Sequence, residues 1–396
     1  MKWPLDEKPI LVFWETTKAC LLACKHCRAN AILEGLPGEL NTEEAYRLLE
    51  DLAGFGRPSP ILVFTGGDPL MRSDIWLLIE RAVELGLRVS VAPSATPLLT
   101  RDAVARMARL GVTAASISID SPVESIHDSI RGVEGTWRRS VEAVKWMQDE
   151  GIAVQVNTVV MRDTVEGLPG MVKLLDDLGV HTWEIFYYVP TGRAGFESDL
   201  EPWEYEDVSL FLYDVTRYGF TVRTVEGPFY RRVALSRIME EMGYKAAGPA
   251  PGPLYERLRG ELYRLMGEPR GEPRVHVTPT MDGRGIVFIS YDGKVYPSGF
   301  LPVPAGSVRS RSIVEIYRES TLFRMLRRNL KGRCGRCELN TVCGGSRARA
   351  YAYTGDPFAE DPACAYEPGS IPRETVEEAL LRLRSRGVHG GGVHSK

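Results

Sequence analysis

Cys20-Leu21-Leu22-Ala23-Cys24-Lys25-His26-Cys27 places three thiols within eight residues, just after the apolar run Ile10-Leu11-Val12-Phe13-Trp14. The run reads as a buried strand, so the thiols fall just past a strand end. That spacing lets three thiolates converge on one small object. Three thiolates on a four-iron cluster leave one iron without a protein ligand, and an open metal position is where a small molecule can be bound and activated. A structural zinc site with His26 as fourth ligand, or three scattered core thiols, are the competing readings of the same residues.

Outward from this stretch, residues 11–190 repeat one theme six times: an apolar strand-like run, then an amphipathic helical run. The strands expected are Leu11–Thr16, Ile61–Thr65, Arg88–Ala92, Ala114–Ile119, Val154–Val160 and Thr182–Tyr188. They are rich in Val, Ile and aromatics, as strands buried on both faces are. Asn41-Thr42-Glu43-Glu44, Ser73-Asp74 and Thr100-Arg101-Asp102 supply helix starts, and Gly86, Gly111, Gly151 and Gly179 supply stops. Six alternating units imply parallel strands with right-handed crossovers. The fold class expected is therefore α/β, an open partial (β/α)6 TIM-like barrel with its chemistry at the strand C-terminal ends.

The chain has 396 residues, 44% hydrophobic and 26% charged, with formal net charge -3. Nothing announces nucleic acid or an anionic membrane surface as a partner. The polar start lacks a signal-peptide core and no apolar run has membrane-spanning length, so the expected location is cytoplasmic. The seven cysteines are grouped, three near the start and four near the end. That grouping argues for metal ligation over a disulfide framework.

Other strand ends carry polar residues. Thr65-Gly66-Gly67-Asp68-Pro69-Leu70 ends the second strand, and two glycines there allow close approach of backbone to ligand; a plain turn is the bland reading. Ser118 ends the fourth, followed by Asp120, His127, Asp128 and Arg131. Asn157 and Thr158 stand inside the apolar fifth strand and are expected to face the lumen. Residues 196–275 are hard to read, apart from helical stretches at Pro202–Tyr218, Phe229–Met242 and Leu254–Met266 and the Gly/Pro/Ala linker 246–253. Arg231, Arg232 and Arg237 are read as a solvated basic face, with substrate contact as the alternative. Gly285–Pro297 is a β-hairpin turning at Asp292-Gly293. A helix over Ser312–Arg327 precedes Cys334, Cys337, Cys343 and Cys364, spaced C-x2-C-x5-C-x20-C, which can fully ligate one four-iron cluster or one zinc. Pro372–Gly387 reads as a terminal helix and His389–Lys396 as a disordered tail.

Taken together, these motifs resemble the radical S-adenosylmethionine (SAM) family. The C-x3-C-x2-C of Cys20, Cys24 and Cys27 matches its cluster signature, with His26 where an aromatic residue is usual. Gly66, Gly67, Asp68 and Pro69 look like its Gly-Gly-Glu-Pro motif, with Asp for Glu. The resemblance implies that the open iron takes SAM's methionine moiety and that reductive cleavage yields a 5′-deoxyadenosyl radical. By the same resemblance the Gly66-Gly67 backbone holds SAM's amino group, Ser118 lies near the ribose and carboxylate, and Asn157 lines the adenosyl pocket. Tyr187, Tyr188 and Pro190–Arg193 fall where the adenine is expected. Arg131 either pairs with SAM's carboxylate or forms a surface pair with Asp128.

The C-terminal cysteines resemble the SPASM domain, which holds auxiliary [4Fe-4S] clusters. Ser298 and Ser346 stand where some relatives have Cys, leaving four ligands and implying one auxiliary cluster. The domains expected are the barrel at 1–195, a linking helical region at 196–284, the SPASM-type domain at 285–370, and a terminal helix and tail at 371–396. Phe13–Cys20, Gly67–Leu70, Tyr296-Pro297, Arg347–Tyr351 and Glu360–Cys364 look like the haem and haem d1 biosynthesis group, whose members modify tetrapyrrole side chains. A peptide-modifying maturase and a non-catalytic zinc-binding protein are the alternatives. The partners implied are SAM, a tetrapyrrole or peptide substrate, and an electron donor such as ferredoxin or flavodoxin.

Overall fold

The computed structural model describes residues 3–244, 248–275 and 278–385, the last four as backbone only. His389 to Lys396 and residues 246–247 of the linker lie outside the described residues. In chain order the first half runs β1 (Leu11–Glu15), α1 (Thr42–Ala53), β2 (Ile61–Thr65), α2 (Ile75–Glu84), β3 (Arg88–Val91), α3 (Arg101–Arg109), β4 (Ala114–Ser118), α4 (Glu124–Arg131), α5 (Thr136–Asp149), β5 (Ala153–Val160), α6 (Leu168–Asp177) and β6 (Thr182–Tyr187). There follow α7 (Pro202–Val215), β7 (Thr221–Val225), α8 (Phe229–Glu241), α9 (Pro253–Met266), β8 (Ile286–Ile289), β9 (Lys294–Tyr296), β10 (Gly306–Ser307), α10 (Ile313–Glu319), α11 (Thr321–Leu326), α12 (Gly332–Arg336), α13 (Arg347–Thr354) and α14 (Arg373–Ser385).

Local sequence explains the boundaries. Asn41 caps α1 by accepting from Glu44 N–H, while the Glu44 carboxylate accepts from Asn41 N–H, both at 2.9 Å, so the two exchange hydrogen bonds. Thr100 caps α3 through Ala103 N–H at 3.1 Å. The stops expected at Gly86, Gly111, Gly151 and Gly179 all have left-handed φ, between 66° and 91°.

The chain divides into two compact units. Unit 1 comprises residues 1–157, 189–196 and 282–328, and unit 2 residues 158–188, 197–281 and 329–396. In unit 1 the strand order is β10-β9-β8-β1-β2-β3-β4-β5, with β1 through β5 parallel. Register sorts its side chains by face. Val12, Trp14, Leu62, Phe64, Val89, Val91, Ala115, Ile117 and Val156 share one face and are all buried, the apolar side. The other face carries Glu15, Thr65, Ser90, Ser116, Ser118, Gln155 and Asn157. Alternation with period two therefore gathers polar groups on one side of a parallel sheet, most densely at the strand C-terminal ends.

Three expectations change. A seventh parallel strand, β7, pairs with β6 in unit 2, so the alternation continues past the sixth unit. Its sequence is only five residues, TVRTV, too short to separate from a loop by periodicity. The hairpin of β8 and β9 forms as expected, but β8 also pairs in parallel with β1, Leu11 opposite Ile286. The single helix expected over Ser312–Arg327 is two, because Ser320 is extended (φ −56°, ψ 132°) between α10 and α11.

Candidate metal centres

Cys20 to Cys27 form an irregular loop after β1, braced mainly by main chain. The N–H of Gly67 donates to Thr17 O at 2.8 Å and that of Asp68 to Ala19 O at 2.7 Å. A Cβ at Gly67 would lie 2.3 Å from Ala19 O, so only glycine allows the β2 end to approach this closely. Behind α4, Ala23 N–H donates to Arg131 O (3.0 Å) and Lys25 N–H to Ile130 O (2.9 Å). Arg193 grips the loop, Nη1 donating to Cys24 O (2.9 Å), Nη2 to Ala31 O (2.7 Å) and its own N–H to Cys27 O (3.0 Å).

Donors also face the sulfurs. Leu22 N–H reaches Cys20 Sγ and Ala31 N–H reaches Cys27 Sγ, each at 3.4 Å. Arg131 Nη1 lies 3.8 Å from Cys24 Sγ. The Cys20 thiol in turn donates to Ser94 Oγ at 3.6 Å, whose own hydroxyl donates to Gly67 O at 2.8 Å. Burial pushes the Cys20 thiol up to about 11. It raises the Cys24 thiol too, against the opposing Arg131 cation. Metal binding must therefore displace protons, and the waiting N–H donors suit the thiolates that result. Burial lowers His26 to about 4, leaving its ring neutral. His26 Nδ1 and Arg131 Nε are buried without a protein partner. Three thiols with donors toward sulfur, flanked by unused polar atoms, fit a site-open cluster and a small polar ligand such as SAM.

The remaining N-terminal candidates fall as follows. Asp68 is fully buried; its carboxylate accepts from Thr96 Oγ1 (2.7 Å), Leu70 N–H (3.1 Å) and Ser94 N–H (3.4 Å), and burial raises its pKa. Its side chain thus holds the turn that Pro69 begins. Gly66 lies against Thr17 O, where a Cβ would meet it at 2.8 Å. Ser118 and Asn157 are register partners on the polar face of unit 1, and Gln155 Nε2 donates to Asn157 Oδ1 at 2.9 Å. Thr158, expected to face the same way, must point oppositely by strand alternation; it is buried and accepts from Trp183 Nε1 at 2.9 Å. Arg131 makes no surface pair with Asp128, which instead accepts from Gly135 and Trp137 N–H. Its Nη2 lies 2.7 Å from fully buried Asp120. Tyr187, placed near adenine by expectation, is buried in unit 2, its hydroxyl on Ser209 (2.8 Å) and its ring against Tyr205 and Phe229. Ser94, Asp120 and Arg193 were not singled out as contacts of the cysteine loop, although Ser94 follows β3 as the other candidates follow their strands.

In unit 2, Cys334, Cys337, Cys343 and Cys364 line one cavity, together with Arg232, Arg333, Glu360, Asp361 and Tyr366. Asp361 N–H reaches Cys334 Sγ, Leu339 N–H reaches Cys337 Sγ and Gly345 N–H reaches Cys343 Sγ, each at 3.4 Å. Burial raises Cys364 to about 11 and Cys343 higher still. Among the described residues no three His, Cys, Asp or Glu side chains gather closely enough for one metal ion. Four thiols on one cavity, three of them met by N–H donors, offer the number and kind of ligand that one four-iron cluster takes, and by number alone one zinc as well. Arg231 and Arg232 are not a solvated face. Both are buried, Arg232 paired with buried Glu206 and Arg231 bonded to Val342 O and Thr280 O, because α8 is buried from Phe229 through Ser236. Only Arg237 lies nearer the surface, beside Glu240. Ser346 caps α13 through Arg349 N–H (3.0 Å) and donates to Glu226, while Ser298 accepts from Phe300 N–H (3.2 Å), so both serines serve caps and turns.

The family description "Radical SAM superfamily" matches residues 14–175. The chain is 39% identical to the "AdoMet-dependent heme synthase" of Nitratidesulfovibrio vulgaris Hildenborough, covering 90% of this chain and 92% of the relative. It is 34% identical to the protein of the same description from Methanosarcina barkeri, covering 92% and 99%. The solved structure described as "Native anSMEcpe with bound AdoMet and Cp18Cys peptide" superposes with TM-score 0.63 over 96% of this chain and 97% of that one, at 14% identity.

Proposed function

The chain belongs to the radical SAM superfamily, and from that premise we propose that it modifies propionate or acetate side chains of an iron porphyrin. The observation that carries the substrate class is the pair of relatives named for haem synthesis, 39% and 34% identical along nine-tenths of the chain. The likeness to a peptide-bound enzyme, at 14% identity, speaks for the fold alone. When bound, the open [4Fe-4S] cluster and SAM supply reductive S–C5′ cleavage and a 5′-deoxyadenosyl radical that abstracts hydrogen from the substrate.

The chain's own residues position that chemistry. Cys20, Cys24 and Cys27 hold three irons and leave one position for SAM. The Gly66-Gly67 backbone, in the turn fixed by Asp68 and Pro69, receives SAM's amino group. Arg131, steadied by Asp120, offers its remaining donors to the carboxylate. Ser118 and Asn157, side by side on the polar face, receive the ribose and adenosyl moiety. Cys334, Cys337, Cys343 and Cys364 close around one auxiliary [4Fe-4S] cluster, and full thiolate ligation keeps substrate off its irons. A donor of the ferredoxin or flavodoxin kind delivers the electron. Among the described residues no helix is long and apolar enough to cross a membrane. Free thiols that ligate iron suit the reducing cytoplasm.

The test is anaerobic turnover of reconstituted full-length protein with SAM, dithionite and an iron porphyrin bearing carboxylate side chains. A porphyrin-dependent rise in 5′-deoxyadenosine, with a mass change in the porphyrin, is the expected result. An unchanged porphyrin beside a modified candidate peptide moves the assignment to the maturase reading. Zinc in place of iron, with no SAM cleavage, removes the enzyme reading.

A further inference from the structure

We propose that Arg347 sets the reduction potential of the auxiliary cluster by placing a guanidinium on the Cys334 sulfur. The inference rests on the four-cysteine cage holding a [4Fe-4S] cluster, as above.

Arg347 opens α13 and is fully buried. Its Nε donates to Gly345 O at 3.1 Å, and Nη1 donates to Pro357 O (3.3 Å) and Ala359 O. These carbonyls fix the plane of the fork and aim its other arm, Nη2, at Cys334 Sγ, 3.5 Å away. The approach needs a gap. Gly345 has φ +66°, and a Cβ there would stand 2.4 Å from Arg347 Nη2 and 2.9 Å from Cys334 Sγ. Any side chain at 345 would thus occupy the space between cation and sulfur. Two further cations line the cavity itself, Arg232 facing Glu206 at 3.0 Å and Arg333 facing Glu360 at 3.0 Å.

A four-thiolate cluster is an anion that becomes more negative on reduction. A buried cation hydrogen-bonded to one of its sulfurs favours the reduced form, and the low dielectric strengthens the effect. With Arg347 in place the auxiliary centre accepts an electron more readily than the same cage without it. A purely structural Arg347, tying α13 to the 357–359 turn, would leave the potential alone.

The test uses full-length protein carrying Cys20→Ala, Cys24→Ala and Cys27→Ala, reconstituted anaerobically so that only the auxiliary cluster remains. Reduced cluster is read by electron paramagnetic resonance across a series of poised potentials. In Arg347→Gln, at the poise where the parent is half reduced, the reduced-to-oxidised ratio falls about tenfold, equal to about 59 mV for one electron. Arg347→Lys keeps the charge without the fork and falls less. An unchanged ratio with about four irons retained overturns the proposal. If Arg347→Gln does not retain iron, the parent with 15N-labelled arginine side chains decides. A 15N coupling at the reduced cluster that Arg347→Lys abolishes supports the proposal, and no such coupling overturns it. Zinc or no metal in the parent cage overturns the cluster reading itself, and this inference with it.

Discussion

The two cysteine cages solve opposite problems. The N-terminal loop offers three thiols, Cys20 buried and Cys24 and Cys27 half-buried. The C-terminal cage offers four, Cys334 and Cys343 buried and Cys337 and Cys364 half-buried, and differs in the fully buried Arg232, Arg347 and Arg349 of unit 2. A centre that must bind SAM needs an open iron, and its loop is clamped largely from outside, through carbonyls and N–H groups that do not enter the site. A cluster with four thiolate ligands needs no opening, so its surroundings can be filled with charge. Ligand number sets open or closed, and the two surroundings differ in buried charge.

The sharpest way to break this contrast is to remove one set of ligands. Cys20/Cys24/Cys27→Ala is expected to lower iron from about eight to about four per chain and to abolish 5′-deoxyadenosine formation. Cys334/Cys337/Cys343/Cys364→Ala is expected to leave about four irons and retain SAM cleavage. Equal loss of SAM cleavage in both would show that the cages are not separable. Next in size is Glu206→Ala, which strands the Arg232 cation beside the C-terminal cage. Denaturant unfolding should show a loss of about 3–5 kcal/mol; a loss below about 1 kcal/mol would mean that the thiolates, not Glu206, balance that charge. Gly67→Ala forces the β2 end away from Ala19 O and displaces the N-terminal loop. SAM cleavage should drop about 100-fold, the scale of a misplacement near 1 Å, with the auxiliary cluster retained by iron analysis. The smallest effect is Arg193→Ala. Its two side-chain bonds to the loop are partly exposed, so a loss of about 1 kcal/mol is expected from thermal unfolding. A larger loss would show the loop to be less braced by main chain than its hydrogen bonds indicate.

Legibility in the sequence followed the strength of local signals. The six strands of the first half were read within a residue at each end, because strongly apolar runs alternate there with capped helices. β7 was not, since five residues of Thr, Val and Arg carry no usable period. The two cysteine groups were legible because their spacing directly constrains geometry, and the structure does bring Cys334, Cys337, Cys343 and Cys364 onto one cavity. Arg231 and Arg232 were misread because charge predicts exposure except where a partner is supplied, and Glu206 and the 342 and 280 carbonyls come from distant sequence. Asn157 and Thr158 were assigned one face although period two separates them. The surface pair of Arg131 with Asp128 was plausible on helix spacing, but the turn at Gly135–Trp137 takes Asp128 and leaves Arg131 to Asp120.

By itself, the sequence determined the α/β alternation, the two cysteine groups and the number of thiols in each, since these depend on residue type and spacing along the chain. Tertiary structure alone decided which buried charge meets which sulfur. Arg347 meets Cys334 only because Gly345 leaves room and the 357–359 carbonyls hold the fork. Arg193 meets the Cys20–Cys27 loop across more than 160 residues of chain. Such contacts depend on distance in space, which residue order does not encode.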